Sequence, residues 1–122
     1  MQKILVVEDD WEMNQGICYV LEANGYGVVS AYSIKEGRKT CEENGVDLVL
    51  LDVNLPDGQG FELCRWIRRH ARVPVLFLSA RDLEEDVLKG YEMGAEDYVT
   101  KPFSMKILLR KIDVILKRNG EE

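Results

Sequence analysis

The sequence lacks a long apolar segment, has few cysteines and carries no excess of positive charge. No apolar run approaches the roughly 20 residues that a membrane-spanning helix needs. The first residues pass directly into a short apolar run, without the charged region, long apolar stretch and cleavage site of a secretory signal. We therefore expect a cytoplasmic protein that does not enter a membrane.

The three cysteines are too scattered for a disulfide framework. Cys18, Cys41 and Cys64 are odd in number and never form a C-x-x-C pair. Closely spaced or evenly paired cysteines are the usual signature of zinc sites and structural disulfides. The pattern argues against both and fits a reducing cytosol, with the three side chains packed as small hydrophobic groups.

Acidic residues outnumber basic ones by 22 to 16, which gives a formal net charge of −6 at pH 7. A domain that binds nucleic acid needs a basic face for the phosphates, so we expect no direct nucleic-acid contact by this chain. The charge is uneven, because residues 101–118 include six basic residues and one acidic residue. This stretch is either a solvated helix face or a face that binds a partner.

Short apolar runs alternate with amphipathic segments along the whole chain. Residues 4–7, 48–51 and 75–78 are continuously apolar, which is typical of strands buried on both faces of a parallel sheet. Residues 27–31 and 97–100 are weaker strand candidates. Five helices are predicted between and after these strands, each with a residue suited to cap its start or to end it. These residues are Asp10 and Gly25 for the first helix, Ser33, Glu36 and Gly45 for the second, the basic cluster at 68–70 for the third, Asp82, Glu85 and Gly94 for the fourth, and Ser104 for the fifth.

The alternation predicts an α/β protein with a (βα)5, doubly wound, flavodoxin-like fold. Its parallel sheet of five strands is expected in the order 2-1-3-4-5, with right-handed crossovers. The 122 residues have room for one domain, which we place at residues 1–118, with residues 119–122 as a tail or the start of a linker. Ligands of such a sheet bind at the carboxyl ends of the strands, near the topological switch point.

Ionisable and hydroxyl side chains lie at four of the five predicted strand ends. Glu8 and Asp9 follow the first strand, Asp52 the third and Lys101 the fifth, while Ser79 ends the fourth. With the first and third strands adjacent, the three carboxylates are expected close together. Two carboxylates about 4 Å apart repel by roughly 4 kcal/mol at an effective dielectric constant near 20, so a proton or a cation has to offset the repulsion.

Lys101 supplies one positive charge, and Mg²⁺ fits the remainder, because it takes carboxylate ligands, keeps waters and often accompanies a phosphate. A metal-bound carboxylate beside a lysine can act as a nucleophile toward a phosphoryl group. The metal and the ammonium group would neutralise charge on the phosphoryl oxygens in the transition state. The predicted edge thus combines a nucleophile, a metal site, a cation and a hydroxyl group.

Four segments of the sequence resemble the signature segments of response-regulator receiver domains, the phosphorylated switches of bacterial two-component signalling. They occur in the family's order and spacing, and the resemblance extends from residue 3 to about residue 118. The segments are VVEDD at 6–10, LDVNLPDG at 51–58, LSA at 78–80 and DYVTKPF at 97–103.

The resemblance implies a role for each residue at the predicted edge. Asp52 matches the phosphoacceptor, Lys101 the lysine that pairs with the phosphoryl group, and Ser79 the switch hydroxyl. Glu8 and Asp9 match the acidic pair of the Mg²⁺ site, with Asp9 the more direct ligand and Glu8 acting through water. The implied phosphoryl donor is a sensor histidine kinase.

Further positions also match the family. Asn54 matches the residue whose backbone carbonyl completes the metal site, and Tyr98 matches the aromatic residue that turns inward with the switch hydroxyl. The Lys101–Pro102 peptide bond is cis in such domains. Asn54 and Arg81 occupy positions that modulate the lifetime of the acyl phosphate, in a direction that the sequence leaves open.

The chain is similar to receivers that precede winged-helix DNA-binding domains and dimerise through helix four, strand five and helix five. The resemblance therefore implies a homodimer when phosphorylated and a DNA-binding effector domain that controls transcription. The sequence departs at Ile107, where those receivers usually place a glutamate to meet the cation at Lys89. The other charged residues at matching positions on this dimer face are Glu96, Asp97, Lys111 and Arg118.

Three alternatives share the fold class or the nucleophile. A phosphatase of the haloacid-dehalogenase type usually has a second acid two residues after the nucleophile, where Asn54 stands. An FMN carrier needs a hydroxyl- and glycine-rich loop after the first strand, where residues 8–10 would repel the phosphate. A pseudo-receiver, an interaction module that is no longer phosphorylated, is disfavoured by the intact acids. We predict a phosphoacceptor switch and not an enzyme with turnover.

Overall fold

A five-stranded parallel sheet organises the chain in a computed structural model that describes residues 1–120. The strands of this sheet are β1 (Lys3–Val7), β2 (Gly27–Ala31), β3 (Leu48–Leu51), β4 (Val75–Ser79) and β5 (Asp97–Thr100). The α-helices are α1 (Trp11–Ala23), α2 (Ile34–Glu43), α3 (Gly60–Trp66), α4 (Glu84–Glu92) and α5 (Met105–Gly120). A short antiparallel hairpin pairs Asn54–Leu55 with Gly58–Gln59 between β3 and α3.

The sheet order is β2-β1-β3-β4-β5, and all neighbouring strands run parallel. Each strand of the sheet is followed by a helix, as expected for a doubly wound α/β fold. The predicted fold class and strand order are therefore confirmed. The order places β1 and β3 side by side at the centre, so their carboxyl ends meet at one edge.

The sheet separates two apolar cores. Leu5 and Val7 of β1 pack in the core with α2, α3 and α4, whereas Ile4 and Val6 pack in the core with α1 and α5. Because successive side chains of a strand point to opposite faces, the central strands β1, β3 and β4 carry apolar residues at consecutive positions. This arrangement explains the continuous apolar runs. Each fully buried aliphatic side chain stabilises the fold by about 1.5–3 kcal/mol relative to an exposed one.

Side-chain caps begin three of the helices where the sequence predicted them. Asp10 accepts from the backbone N–H of Met13 at 3.1 Å, and Ser33 Oγ accepts from that of Glu36 at 3.1 Å. Ser104 Oγ accepts from the N–H of Ile107 at 3.3 Å. Such caps satisfy backbone donors that have no partner inside the helix.

The first turn of α2 has a second source of acceptors that the sequence did not reveal. Asp57, which lies in the hairpin turn, accepts from the N–H groups of Ile34 at 2.8 Å and Lys35 at 3.0 Å. The hydrogen bond from Ile34 is the main reason why the pKa of Asp57 is lowered. The hairpin thus connects the end of β3 to the start of α2.

Two helix boundaries differ from the prediction. Helix α4 has Leu83 at its N-cap position, so the predicted cap at Asp82 is wrong. The third helix is α-helical to Trp66 and continues as a π-helix over Ile67–Ala71. The π-helix ends at Arg72, whose φ of 56° lies in the left-handed region.

Helix α5 continues to Gly120, so residues 119–120 of the expected tail belong to it, and Glu121 and Glu122 lie outside the described residues. Within residues 1–120, no helix is both long and apolar enough to cross a bilayer. The thiols of Cys18 and Cys64 are buried and that of Cys41 is partly buried. Burial raises the pKa of Cys64 to about 12, which leaves this thiol protonated at neutral pH.

Candidate functional site

The carboxyl ends of β1, β3 and β5 bring distant charged residues together. Val7 and Leu51 are register partners on β1 and β3, and Glu8 and Asp52 are the residues that follow them. The backbone N–H of Asp52 donates to the carbonyl of Val7 at 3.0 Å, which fixes the two strand ends against each other. Lys101 follows β5, and its backbone N–H donates to the carbonyl of Ser79 at 2.9 Å.

The Lys101 side chain reaches both buried acids. Its Nζ lies 3.1 Å from Asp52 Oδ2 and donates a further hydrogen bond to Glu8 Oε1. The Lys101 side chain is 16% exposed, and the side chains of Glu8 and Asp52 are more deeply buried. Since solvent screens these charges less than it screens charges on the open surface, the ion pairs hold the three side chains in place. The Lys101–Pro102 peptide bond is cis.

Burial and charge shift the pKa values of this pair. Burial raises the pKa of Glu8 to about 7, against the lowering effect of the hydrogen bond from Lys101. Burial also lowers the pKa of Lys101, but the hydrogen bond to Glu8 and the negative charge of Asp52 more than offset this effect. The net shift for Lys101 is upward, so its ammonium group stays charged at physiological pH.

Three acids at this edge can offer oxygen ligands to one metal ion. One carboxylate oxygen each from Glu8, Asp9 and Asp52 lies within 4.8 Å of the others. Glu8 and Asp52 are buried, whereas Asp9 is exposed. With all three acids ionised, one lysine leaves two negative charges unbalanced, and a divalent cation would balance them. Oxygen ligands of this kind suit Mg²⁺, so the residues fit that ion.

Ser79 and Tyr98 are buried beside this cluster and share a neighbour. Ser79 Oγ accepts from the backbone N–H of Arg81 at 3.2 Å, and the Tyr98 hydroxyl donates to the carbonyl of Arg81 at 2.6 Å. The Tyr98 ring packs against Phe77 with 5.6 Å between ring centroids. A Cβ atom on Gly90 of α4 would come within 2.8 Å of the same ring. The tyrosine therefore points inward, beneath α4.

Asn54 and Arg81 are connected through their side chains. The backbone N–H of Asn54 donates to Asp52 Oδ1 at 3.3 Å, and its side-chain Oδ1 accepts from Arg81 Nη1 at 3.3 Å. Arg81 Nε lies 3.2 Å from Asp86 Oδ1. Sequence reasoning missed Asp86, because an acid in the first turn of a helix is normally explained by the helix dipole alone.

The charged residues expected on a dimer face fall into two groups. Lys111 pairs with Asp97 at 2.8 Å, and Arg118 pairs with Glu96 at 2.7 Å, both within the same chain. Lys89 lies apart from them, with its Nζ 4.9 Å from the centroid of the Phe61 ring. The structure therefore brings four of the five residues together as two internal pairs.

Comparisons with known proteins agree with this arrangement. A family model described as the response regulator receiver domain matches residues 4–113. The nisin biosynthesis regulatory protein NisR of Lactococcus lactis subsp. lactis is 40% identical over 116 residues, which cover 95% of this chain and 51% of that protein. The phosphate regulon transcriptional regulatory protein PhoB of Escherichia coli (strain K12) is 40% identical over 120 residues, with 96% and 52% coverage. The chain thus spans about half the length of these curated relatives.

A solved structure supports the same relationship. A two-component response regulator from Clostridium difficile superposes with a TM-score of 0.94 at 30% sequence identity. The superposition covers 97% of this chain and 98% of the other.

Proposed function

The chain belongs to the response regulator receiver family, and from this membership we propose that it is a Mg²⁺-dependent switch that is phosphorylated on Asp52 by a sensor histidine kinase. The observation that supports the proposal best is the clustering of Glu8, Asp9, Asp52 and Lys101 at one edge of the sheet. These residues come from three strand ends that are far apart in the sequence. Their combination of negative charge, oxygen ligands and one ammonium group suits phosphoryl transfer.

Asp52 is the acid we assign as the nucleophile. One of its carboxylate oxygens forms a bond to phosphorus while the bond between phosphorus and the donor histidine nitrogen breaks, and that nitrogen takes up a proton. The product is an acyl phosphate on Asp52. Glu8 is assigned to the metal site instead, because its position matches the acidic pair of the receiver family.

Lys101 and the metal ligands have complementary roles. The Lys101 ammonium group lies 3.1 Å from Asp52 and would neutralise negative charge on the phosphoryl oxygens during transfer. Glu8, Asp9, Asp52 and the backbone carbonyl of Asn54 would hold Mg²⁺, which when bound neutralises charge on the transferred group. We infer a phosphoacceptor site and not a site for repeated turnover, because Asn54 stands where phosphatases with an aspartate nucleophile usually have a second acid.

Ser79 and Tyr98 would carry the signal away from Asp52. Phosphorylation adds roughly 1.5 to 2 negative charges at pH 7. The Ser79 hydroxyl accepts from Arg81 and keeps its own proton to donate to a phosphoryl oxygen. The Arg81 carbonyl accepts from the Tyr98 hydroxyl, so movement of the loop that follows β4 would favour one conformation of the Tyr98 side chain. The population of the active form then rises, and the face formed by α4, β5 and α5 changes.

The output of the switch is inferred from the relatives. PhoB is named as a transcriptional regulatory protein, and about half of it lies outside the region that matches this chain. We infer that this receiver controls the dimerisation or the activity of a DNA-binding effector domain, and that it acts in the cytoplasm.

Phosphorylation by a small-molecule donor tests the proposal directly. The chain is incubated with acetyl phosphate and Mg²⁺ and then analysed by intact-mass spectrometry. We expect the mass of one added phosphoryl group, its loss when EDTA replaces Mg²⁺, and its absence in Asp52→Asn. Asp82→Asn removes an exposed acid from the loop after β4 and is expected to be phosphorylated like the parent chain.

Other outcomes would support the alternatives. Release of free phosphate from many phosphate esters at high turnover would indicate a phosphatase. A chain that gains no phosphoryl group from acetyl phosphate or from phosphorylated histidine kinases would be a pseudo-receiver. Phosphorylation that persists in Asp52→Asn would place the acceptor at another residue.

A further inference from the structure

We propose that Asp86 is a positioning residue that prolongs the phosphorylated state of Asp52 by holding the Arg81 guanidinium group against Asn54. The inference rests on the proposed function, because it concerns the loss of the phosphoryl group from Asp52. It adds a residue on α4 to the set that controls the reaction.

Arg81 makes two kinds of contact that can be separated experimentally. Its backbone N–H donates to Ser79 and its carbonyl accepts from Tyr98, and any residue at position 81 can keep these hydrogen bonds. Its side chain contacts Asn54 at 3.3 Å and Asp86 at 3.2 Å, and these contacts require the guanidinium group. Truncation of the side chain therefore removes the second pair of contacts and leaves the first.

The burial of Asp86 points to a specific role for its carboxylate. Asp86 is 7% exposed, whereas Glu84 and Glu85 in the same turn of α4 are exposed. Aspartate is rarely buried to this extent unless it is paired, and Arg81 is the cation that pairs with it. The acid thus fixes one edge of the guanidinium group and leaves Nη1 to donate to Asn54.

The bridge between Arg81 and Asn54 joins the loops that follow two adjacent strands, β3 and β4. Asp52 lies in the first of these loops, and its Oδ1 accepts from the backbone of Asn54. During hydrolysis of the acyl phosphate, the oxygen of a water molecule bonds to phosphorus and the bond from phosphorus to the Asp52 oxygen breaks. Dihydrogen phosphate leaves, and the Asp52 carboxylate is restored. A guanidinium group that is held on the Asn54 side chain, two residues after Asp52, limits the access of that water, and a loose one admits it.

The test measures the decay of the phosphorylated chain. Each variant is phosphorylated with acetyl phosphate and Mg²⁺, the donor is removed by desalting, and the remaining phosphoprotein is followed by intact-mass spectrometry. Asp86→Asn and Arg81→Ala are each expected to decay about fivefold faster than the parent chain, as expected for the loss of one partly shielded ion pair. Asp86→Glu keeps the negative charge but changes the length of the side chain. Its decay rate is expected to lie between those of the parent chain and Asp86→Asn.

The double variant distinguishes positioning from a general structural effect. If Asp86 acts through Arg81, Asp86→Asn adds no further acceleration in the Arg81→Ala background. Glu85→Gln removes an exposed acid from the same helix turn and is expected to decay like the parent chain. Should Asp86→Asn not fold, Asp86→Glu provides the same comparison, with acceleration in the parent background and none in the Arg81→Ala background.

Two results would overturn the inference. One is an unchanged decay rate in the folded Asp86 variants, and the other is an equal acceleration by Asp86→Asn with and without the Arg81 side chain. A parent chain that never takes up a phosphoryl group would instead contradict the proposed function. The two failures are therefore distinct.

Discussion

Residues 8–10 are three consecutive acids with three different surroundings. Glu8 is buried and hydrogen-bonded to Lys101, Asp9 is exposed beside the cluster, and Asp10 caps α1 through the backbone N–H of Met13. The sequence alone distinguished the cap from the other two by its position relative to the helix. Substitution of Asp9 or of Asp10 by asparagine removes one negative charge in each case, but only Asp9 belongs to the proposed metal site. The two variants therefore form a matched test of that site.

Mg²⁺ is expected to raise the midpoint of thermal unfolding, because an ion that binds the folded chain stabilises it by about 2.7 kcal/mol at a concentration of 100 times Kd. Asp9→Asn is expected to abolish most of this increase, since it replaces an ionised ligand. Asp10→Asn is expected to retain it, because asparagine is also a good N-cap. The measurement is differential scanning fluorimetry with Mg²⁺ or EDTA. Equal responses of the two variants would show that Asp9 is not a ligand.

At the scale of elements, α4 and β5 meet at a glycine. Gly90 lies against the Tyr98 ring, and a Cβ atom there would come 2.8 Å from one ring carbon and 3.1 Å from Phe77. The close approach lets the tyrosine lie inward under the helix. Gly16 in α1 has the opposite surroundings, because a Cβ atom there would have no neighbour within 4 Å.

This difference predicts opposite signs for two glycine-to-alanine substitutions. Helix propensity favours alanine by roughly 1 kcal/mol, so Gly16→Ala is expected to increase the free energy of unfolding. Gly90→Ala is expected to decrease it by about 1–3 kcal/mol, because the added methyl group overpacks the Tyr98 ring. Urea denaturation of both variants provides the measurement. A stabilised Gly90→Ala chain would mean that the ring does not occupy this position.

The three central strands, β1, β3 and β4, could be predicted clearly from the sequence, because their continuous apolar runs reflect burial on both faces. The edge strands β2 and β5 are less buried, and their patterns were correspondingly weaker. The four strand-end motifs likewise located the cluster, since parallel strands end at one edge. Other features depend on side-chain contacts between different elements and left no signal in the sequence. Asp57 supports α2 across 23 residues of sequence, and Asp86 pairs with Arg81 across a helix start. The π-helix at Ile67–Ala71 has the same apolar and basic residues as an ordinary helix end.

At the scale of the whole molecule, four of the five charged residues on the expected dimer face are already paired within the chain. Asp97 accepts from Lys111 of α5 and from the Tyr91 hydroxyl of α4, so it connects the two helices. Apolar side chains stand exposed on the same helices, including Leu88, Ile107 and Val114. A dimer that used Asp97 and Lys111 across the interface would have to break the ion pair between them within each chain and form it between the two chains.

Because exchange of equivalent ion pairs contributes little net free energy, we expect the exposed apolar residues to dominate such a dimer. Val114→Asp is then expected to prevent the phosphorylation-dependent dimer while leaving phosphorylation intact. Tyr19→Asp introduces the same charge at an exposed position of α1 and is expected to dimerise normally. Sedimentation velocity with acetyl phosphate and Mg²⁺ measures both. A Val114→Asp chain that still dimerises would place the interface on another surface.

The division of the interior into two cores has a consequence for how a partner detects the signal. Helix α4 and Tyr98 pack in one core with α2 and α3, whereas α5 packs with α1 on the far side of the sheet. A shift of α4 therefore repacks the first core, whereas the contacts of α5 with α1 lie in the second. A partner that contacts both helices therefore responds to the position of α4 relative to α5, and so to a change in the packing of one core against the other.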